Sequence, residues 1–194
     1  MKNRNYTISI LNDYSRLDEI YRLTHDTFVL SGEISPKADG VIITCPHLDR
    51  HPSTIIFIAE LKEKIIGTCT VTIDSEQGLN IESWFDQEIK KYRADSKNKL
   101  SSCWRLATIP SYRGSRLLIM DLIEAAFNQS INAGSNIGFF ALMNKNIKTY
   151  QQIINGKIVA TKYVMFDKEI SMKLNLMEVN LEEGWKKFQQ LKKT

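Results

Sequence analysis

The turn Arg113-Gly114-Ser115-Arg116 opens the best helical pattern in this 194-residue chain, and residue type and position there point to chemistry. A helix N-terminus carries unpaired backbone N–H groups and roughly half a positive charge, which suits a phosphate. Gly114 lets a ligand approach the backbone closely, and two guanidiniums can fork onto phosphate oxygens. The plainer alternative is a solvated basic turn between a strand and a helix. Upstream, Trp104 and Arg105 lie on an apolar strand whose alternation predicts opposite faces for them. An arginine on a central strand needs an anionic partner, either a substrate carboxylate or a structural acid. Asp49 and Glu82 are candidate bases or counter-charges for an ammonium group, against the alternative of surface carboxylates. His47 and His51 flank Asp49 in PHLDRHP, but a proline at each end disfavours helical spacing and a third ligand is missing, so no metal is expected. Cys103 has no nearby histidine and reads as packing.

The elements that must position these groups follow from periodicity. Tyr6 to Ile10 alternates as a short strand, and Ser15 to Leu30 is helical, with Ser15 or Asp13 as its cap. Residues 31–53 hold three of the four prolines and read as a long functional loop. STIIFIAEL, KEK and IIGTCTVTID form a hairpin. Ile81 to Arg93 is helical, SSCWRLATI is a strand, and SRLLIMDLIEAAFNQSINAG is a long helix ended by Gly134. IGFFALM is a buried strand, NIKTYQQII a short helix, and KIVATKYVMF with ISMKLNL a last strand pair. Residues 176–194 are expected to supply an amphipathic C-terminal helix, or else a frayed tail. The order implies an α/β (α+β) fold: a mixed, mostly antiparallel central sheet flanked by helices, in one domain spanning 1–194.

Composition narrows the function classes. The chain is 43% hydrophobic and 25% charged, ordinary for a globular protein. Its net charge of +4 favours an acidic partner mildly, such as cofactor phosphates or an acidic carrier protein. Lysine and arginine are scattered, so no nucleic-acid partner is expected. Three separated cysteines form neither a disulfide framework nor a zinc pattern. The first residues lack a signal-peptide core and no apolar run suffices for a membrane span, so a cytoplasmic location is expected.

The stretch from Cys103 to Ala160, with LATIPSYRG at its start, resembles the core of the GNAT acyltransferases. In that family a strand and turn lead to a helix whose N-terminus holds the pyrophosphate of coenzyme A. A following strand and short helix, often with a tyrosine, complete the acyl-donor cleft. The resemblance implies a GNAT-like fold, with acyl-CoA or acyl-phosphopantetheine as co-substrate and no permanently bound cofactor. It assigns Leu106, Ala107 and Thr108 to the pantetheine arm by strand-like pairing, and Arg113, Gly114, Ser115 and Arg116 to phosphate. Tyr150 falls near the family tyrosine. The family's two small positions after Arg113 are Arg116 and Leu118 here, a departure that points toward donors with a single phosphate. IAELKEKIIGTCTVTIDSEQGLNIESWFDQEIKKYR followed by SSCWRLAT is similar to the long-chain N-acyl amino acid synthases and, more distantly, the acyl-homoserine lactone synthases. YRLTHDTF and LDRHPSTIIFIAE fit the latter outline and place Asp49 at a matching acidic position. Ser102, Thr24 and Thr70 replace a glutamate and two arginines of those families, so lactone formation is not expected.

Acyl transfer to an amine requires a deprotonated amine, a polarised thioester carbonyl and a protonated leaving thiolate. Tyr150 is the candidate for the last proton, with a core-edge aromatic as the alternative. Asp49 and Glu82 are candidates for the base, and Trp104 and Arg105 for substrate binding. The expected function is transfer of a medium or long acyl chain from acyl carrier protein or coenzyme A to a small amine such as an amino acid. The alternatives are a degenerate module that binds an acyl thioester or a protein, and an ordinary acetyl-coenzyme A enzyme.

Overall fold

The computed structural model describes residues 5–112, 115–167 and 170–193. Its elements are β1 (Thr7–Ile10), α1 (Leu17–Leu30), α2 (Pro46–Asp49), β2 (Thr54–Leu61), β3 (Lys64–Ile73), α3 (Glu82–Arg93), β4 (Leu100–Thr108), α4 (Arg116–Asn132), β5 (Ile137–Met143), α5 (Asn144–Ile154), β6 (Lys157–Asp167), β7 (Ile170–Asn180) and α6 (Leu181–Lys192). Strand order is β1-β2-β3-β4-β5-β7-β6. The pairs β1–β2, β5–β7 and β6–β7 are antiparallel, whereas β4 and β5 run parallel. This is the mixed, mostly antiparallel sheet with helices that the sequence predicts. The β4–β5 register pairs Leu100–Ser102 with Ile137–Phe139.

The chain divides into two compact units, one of residues 1–71 with 105–126, the other of 72–104 with 127–194. In the first, α1 buries Leu17, Ile20, Tyr21 and Leu23 against Ile56, Ile58 and Ile65 of the hairpin. These helix positions recur three and four apart, so they share one face. The hairpin turns through Lys62 and Glu63, both at positive φ (49° and 64°), which matches the two-residue turn that suits twisted strands. Arg16 ties this turn down, donating to Glu60 at 2.6 Å and to the Glu63 carbonyl at 3.0 Å. Gly67 on β3 is closely packed: a Cβ there would lie 3.2 Å from Leu122 of α4, which would have to give by a few tenths of an ångström, and 3.4 Å from the Ala107 carbonyl.

The second unit is built on Phe85, Ile89, Phe139, Leu174 and Leu176. Residues 176–180, expected in a C-terminal helix, instead end β7, where Leu176 to Asn180 pair with Ala141 to Ile137 of β5. The helix begins at Leu181, with Asn180 as its cap accepting from the Glu183 N–H at 3.1 Å. It is held by Trp185 and Phe188, stacked at 5.6 Å, and by Phe127, whose ring centroid is 5.8 Å from that of Phe188.

Candidate functional site

The candidate site of the first unit is organised by a break in β4. The Ile109 N–H donates to the Ile66 carbonyl at 2.9 Å, and the Asp74 N–H to the Leu100 carbonyl at 3.0 Å. Between these bonds β4 uses one residue more than β3, the count expected of a β-bulge. Arg105 takes up the irregularity at φ 54°, a left-handed conformation that costs a residue with a Cβ about 1–2 kcal/mol. The regular alternation predicted for Trp104 and Arg105 is therefore interrupted. The Trp104 indole N–H donates to Thr72 Oγ1 at 3.0 Å within the second unit, and Arg105 Nη2 donates to Asp49 Oδ1 at 2.6 Å within the first.

Asp49 reaches Arg105 because the 31–53 segment folds back on α1. The Lys37 N–H donates to His25 Nε2 at 3.0 Å, Arg22 Nη1 to the Asp39 carbonyl at 3.0 Å, and the Ile42 N–H to the Tyr21 carbonyl at 3.3 Å. With Nε2 accepting, His25 carries its proton on Nδ1, which lies 3.0 Å from Asp26. The segment is not wholly loop: Pro46 opens the short helix α2, which ends at Asp49. Pro46 opens this helix at a position that needs no N–H, and the helix stops at Asp49, so His51 lies outside it and the two histidines do not share a helix. Tyr21 completes the site by donating its hydroxyl to Asp49 Oδ2 at 2.6 Å, while the Arg105 guanidinium lies 5.5 Å from its ring centroid. The Arg105 and Asp49 side chains are 1% and 2% exposed. Burial pushes the Tyr21 phenol up to about 12, and its bond to Asp49 adds to that. Burial likewise raises the Cys45 thiol, against the pull of Arg105, so this cysteine is poorly suited to act as a nucleophile. Both Asp49 oxygens are engaged, giving a fixed, charge-balanced centre. Sequence reading missed Tyr21; its signal was a hydroxyl on the buried face of α1, which must find a partner.

Glu82 serves a different cluster, in the second unit. It accepts from the Leu79 N–H at 2.5 Å and from Arg93, which also donates to Asp74 at 2.8 and 2.6 Å. Burial favours its neutral form, yet Arg93 and the Leu79 N–H outweigh this and hold the carboxyl below the usual glutamate range. A carboxylate so engaged clips the 74–80 turn to α3. Its lowered pKa stabilises the fold fully above the unfolded-state value and less as pH falls through the folded one. Glu82→Gln is therefore expected to lose less unfolding free energy than the parent between pH 6 and pH 3, a difference of about 1 kcal/mol in urea titrations. Equal losses in both proteins would show that the clip is not ionised.

Tyr150 lies half-buried on α5, its ring centroid 5.9 Å from that of Phe140 on β5. Ser102, at the position of a family glutamate, donates to Asn80 Oδ1 at 2.6 Å. At the start of α4 the Ser115 N–H bonds the Tyr112 carbonyl at 2.9 Å, and Arg116 is exposed. Arg113 and Gly114 lie outside the described residues. Leu106 is half-buried, Ala107 and Thr108 are buried, and the Thr108 carbonyl accepts from Thr27 Oγ1 at 2.9 Å. His47 is exposed, while His51 Nδ1 is 2.7 Å from Ser53 Oγ. Among the described residues no three His, Cys, Asp or Glu side chains are grouped to hold a metal, and no helix is long and apolar enough to cross a membrane.

Comparison with known proteins adds the following. The sequence profile of a family described as N-acyl amino acid synthase FeeM matches residues 19–179. Among solved structures, FeeM from uncultured soil microbes superposes with a TM-score of 0.79 at 14% identity, covering 99% of this chain and 100% of that one. BjaI, a CoA-dependent acyl-homoserine lactone synthase solved with MTA, gives a TM-score of 0.65 at 12% identity over 95% of this chain and 89% of its own. An N-acetyltransferase from Staphylococcus aureus Mu50 gives 0.63 at 16% identity over 92% and 99%. At these identities the structural likenesses establish the GNAT-like fold. No curated protein matches in sequence.

Proposed function

The chain belongs to the N-acyl amino acid synthase FeeM family and is an N-acyltransferase, and we propose that it moves a medium or long acyl chain from an acyl carrier protein or coenzyme A thioester to a small amine such as an amino acid. The observation that carries this reading is the family profile, which matches residues 19–179. An arm with two amides can pair with strand backbone. Leu106, Ala107 and Thr108 are the β4 residues proposed to receive it. Arg113, Gly114, Ser115 and Arg116 are proposed to hold the donor phosphate, in keeping with the exposed guanidinium of Arg116.

The reaction joins the amine nitrogen to the thioester carbonyl carbon, breaks the carbon–sulfur bond, and leaves an amide and a thiol. Tyr150 is proposed to give its hydroxyl proton to the departing sulfur and to be recharged from solvent, while the amine gives up its own proton to solvent. Arg105 and Asp49 are proposed to bound the acceptor site, with Trp104 next to Arg105 in the sequence. Glu82, tied to Arg93 and Leu79, suits a bracing role better than that of a base.

Incubating the purified protein with acetyl, medium-chain and long-chain thioesters of both coenzyme A and acyl carrier protein, with a mixed amino acid pool, tests the reading. Mass spectrometry is expected to find acyl amides whose yield rises with chain length, together with free thiol. Absence of thiol release with every donor would overturn it.

A further inference from the structure

We propose that the hydroxyls of Thr70 and Thr44 form the polar subsite for the head group of the acceptor amino acid, beside the Arg105–Asp49 pair. The proposal rests on the N-acyltransferase reading above and adds to it the residues that recognise the acceptor. Among the described residues, Thr70 Oγ1 and Thr44 Oγ1 are the buried hydroxyls without a hydrogen-bond partner, and Thr70 is 0% exposed. Such groups are uncommon in folded proteins and each calls for a reason. Three other threonines of the same unit are satisfied: Thr24 donates to the Ile20 carbonyl at 2.7 Å, Thr27 to the Leu23 carbonyl at 2.8 Å, and Thr68 to the Phe57 carbonyl at 3.0 Å. Thr68 is two residues from Thr70 on β3 and so projects to the same side of the strand.

Strand register and chain position relate the two unmatched hydroxyls to one ion pair. Counting antiparallel from the Ile109–Ile66 hydrogen bond brings Thr70 level with Arg105. Thr44 immediately precedes Cys45, whose thiol feels the charges of both Arg105 and Asp49. The pair is charge-balanced, so a ligand with net charge would meet a poor environment there. An amino acid zwitterion has none. Its carboxylate can accept from two hydroxyls, and its ammonium can donate to a hydroxyl oxygen. A thioester carbonyl needs fewer groups, and the donor's amides are proposed above to pair with strand backbone.

Valine has nearly the shape of threonine and lacks the hydroxyl. Each proteinogenic amino acid in turn is added to the wild-type protein, and the one that raises the melting temperature most serves as probe. Thr70→Val and Thr44→Val are then compared with wild type. Each valine variant is expected to melt, when free, at or above the wild-type temperature, since a partnerless hydroxyl contributes no bond to the fold. Its affinity for the probe should fall about tenfold or more, with the KM for the thioester unchanged, and Thr70→Ser should restore binding. A drop in the melting temperature of the free protein with unchanged probe affinity would overturn the proposal. So would a selective rise in thioester KM, or a wild type that no amino acid stabilises. Probe binding without acyl transfer would retain this subsite and defeat the transferase chemistry, so the two failures are distinct.

Discussion

Replacing Asp49 with alanine is expected to lower the unfolding free energy by about 3–5 kcal/mol, because it leaves the partner of a buried ion pair uncompensated. The Arg105 side chain is 1% exposed and its guanidinium bonds Asp49 at 2.6 Å; without the carboxylate a full charge remains inside the fold. The Tyr21 hydroxyl loses its acceptor at the same time. Adding Arg105→Met removes the stranded charge, and the double variant is expected to recover much of the loss, the non-additivity typical of groups in direct contact. The alkaline side gives a second readout. The Tyr21 phenol is pushed from 10.0 to about 12, so its contribution is complete below the lower value and vanishes as pH rises through the higher. The native protein should therefore weaken across that window, and Asp49→Ala less so. Urea denaturation at a series of pH values checks both. A single-variant cost below about 1 kcal/mol would mean that the pair is solvated like a surface bridge.

Tyr150→Phe is expected to reduce kcat by about a hundredfold while the KM for the thioester holds. The ring is half-buried against Phe140, and phenylalanine preserves that packing, so the melting temperature should stay close to the parent's. What is removed, on the role proposed for Tyr150, is the proton for the departing sulfur. A donor whose thiol is already a stable anion, such as an aryl thioester, does not need that proton and should recover most of the rate. Steady-state kinetics with alkyl and aryl thioesters separates the cases. If both donors lose the same factor, or neither does, the hydroxyl is not the acid.

The order of elements along the chain, the hairpin from Thr54 to Ile73, the long α4 helix and the β5 strand at Ile137–Met143 are all written locally, in alternation or in helical periodicity. Helices read that way begin and end within a few residues of their true bounds. The resemblance carried by LATIPSYRG and the Arg105-Leu106-Ala107 segment extends to a family whose profile spans residues 19–179. Local pattern failed where the signal is too short or belongs to another element. α2 is four residues long, less than two turns, and its proline reads as a breaker until the chain is seen to start a helix on it. Residues 176–180 carry an apolar pattern that fits a helix, and only pairing with β5 makes them strand.

The residue types available for acyl transfer, and the strand–turn–helix that would present them, were determined by the order of amino acids alone, since alternation, helical spacing and turn chemistry act over a few neighbours. The partnership of Asp49 with Tyr21 and Arg105 was decided by the tertiary structure, because those residues stand 28 and 56 positions apart and meet only when the 31–53 segment closes on α1. The same holds for Glu82: its sequence context shows a carboxylate at a helix start, whereas Arg93, brought round by α3, fixes its charge and takes up its oxygens. A side chain's type travels with the sequence, but its hydrogen-bond partners and its burial are properties of the packed chain.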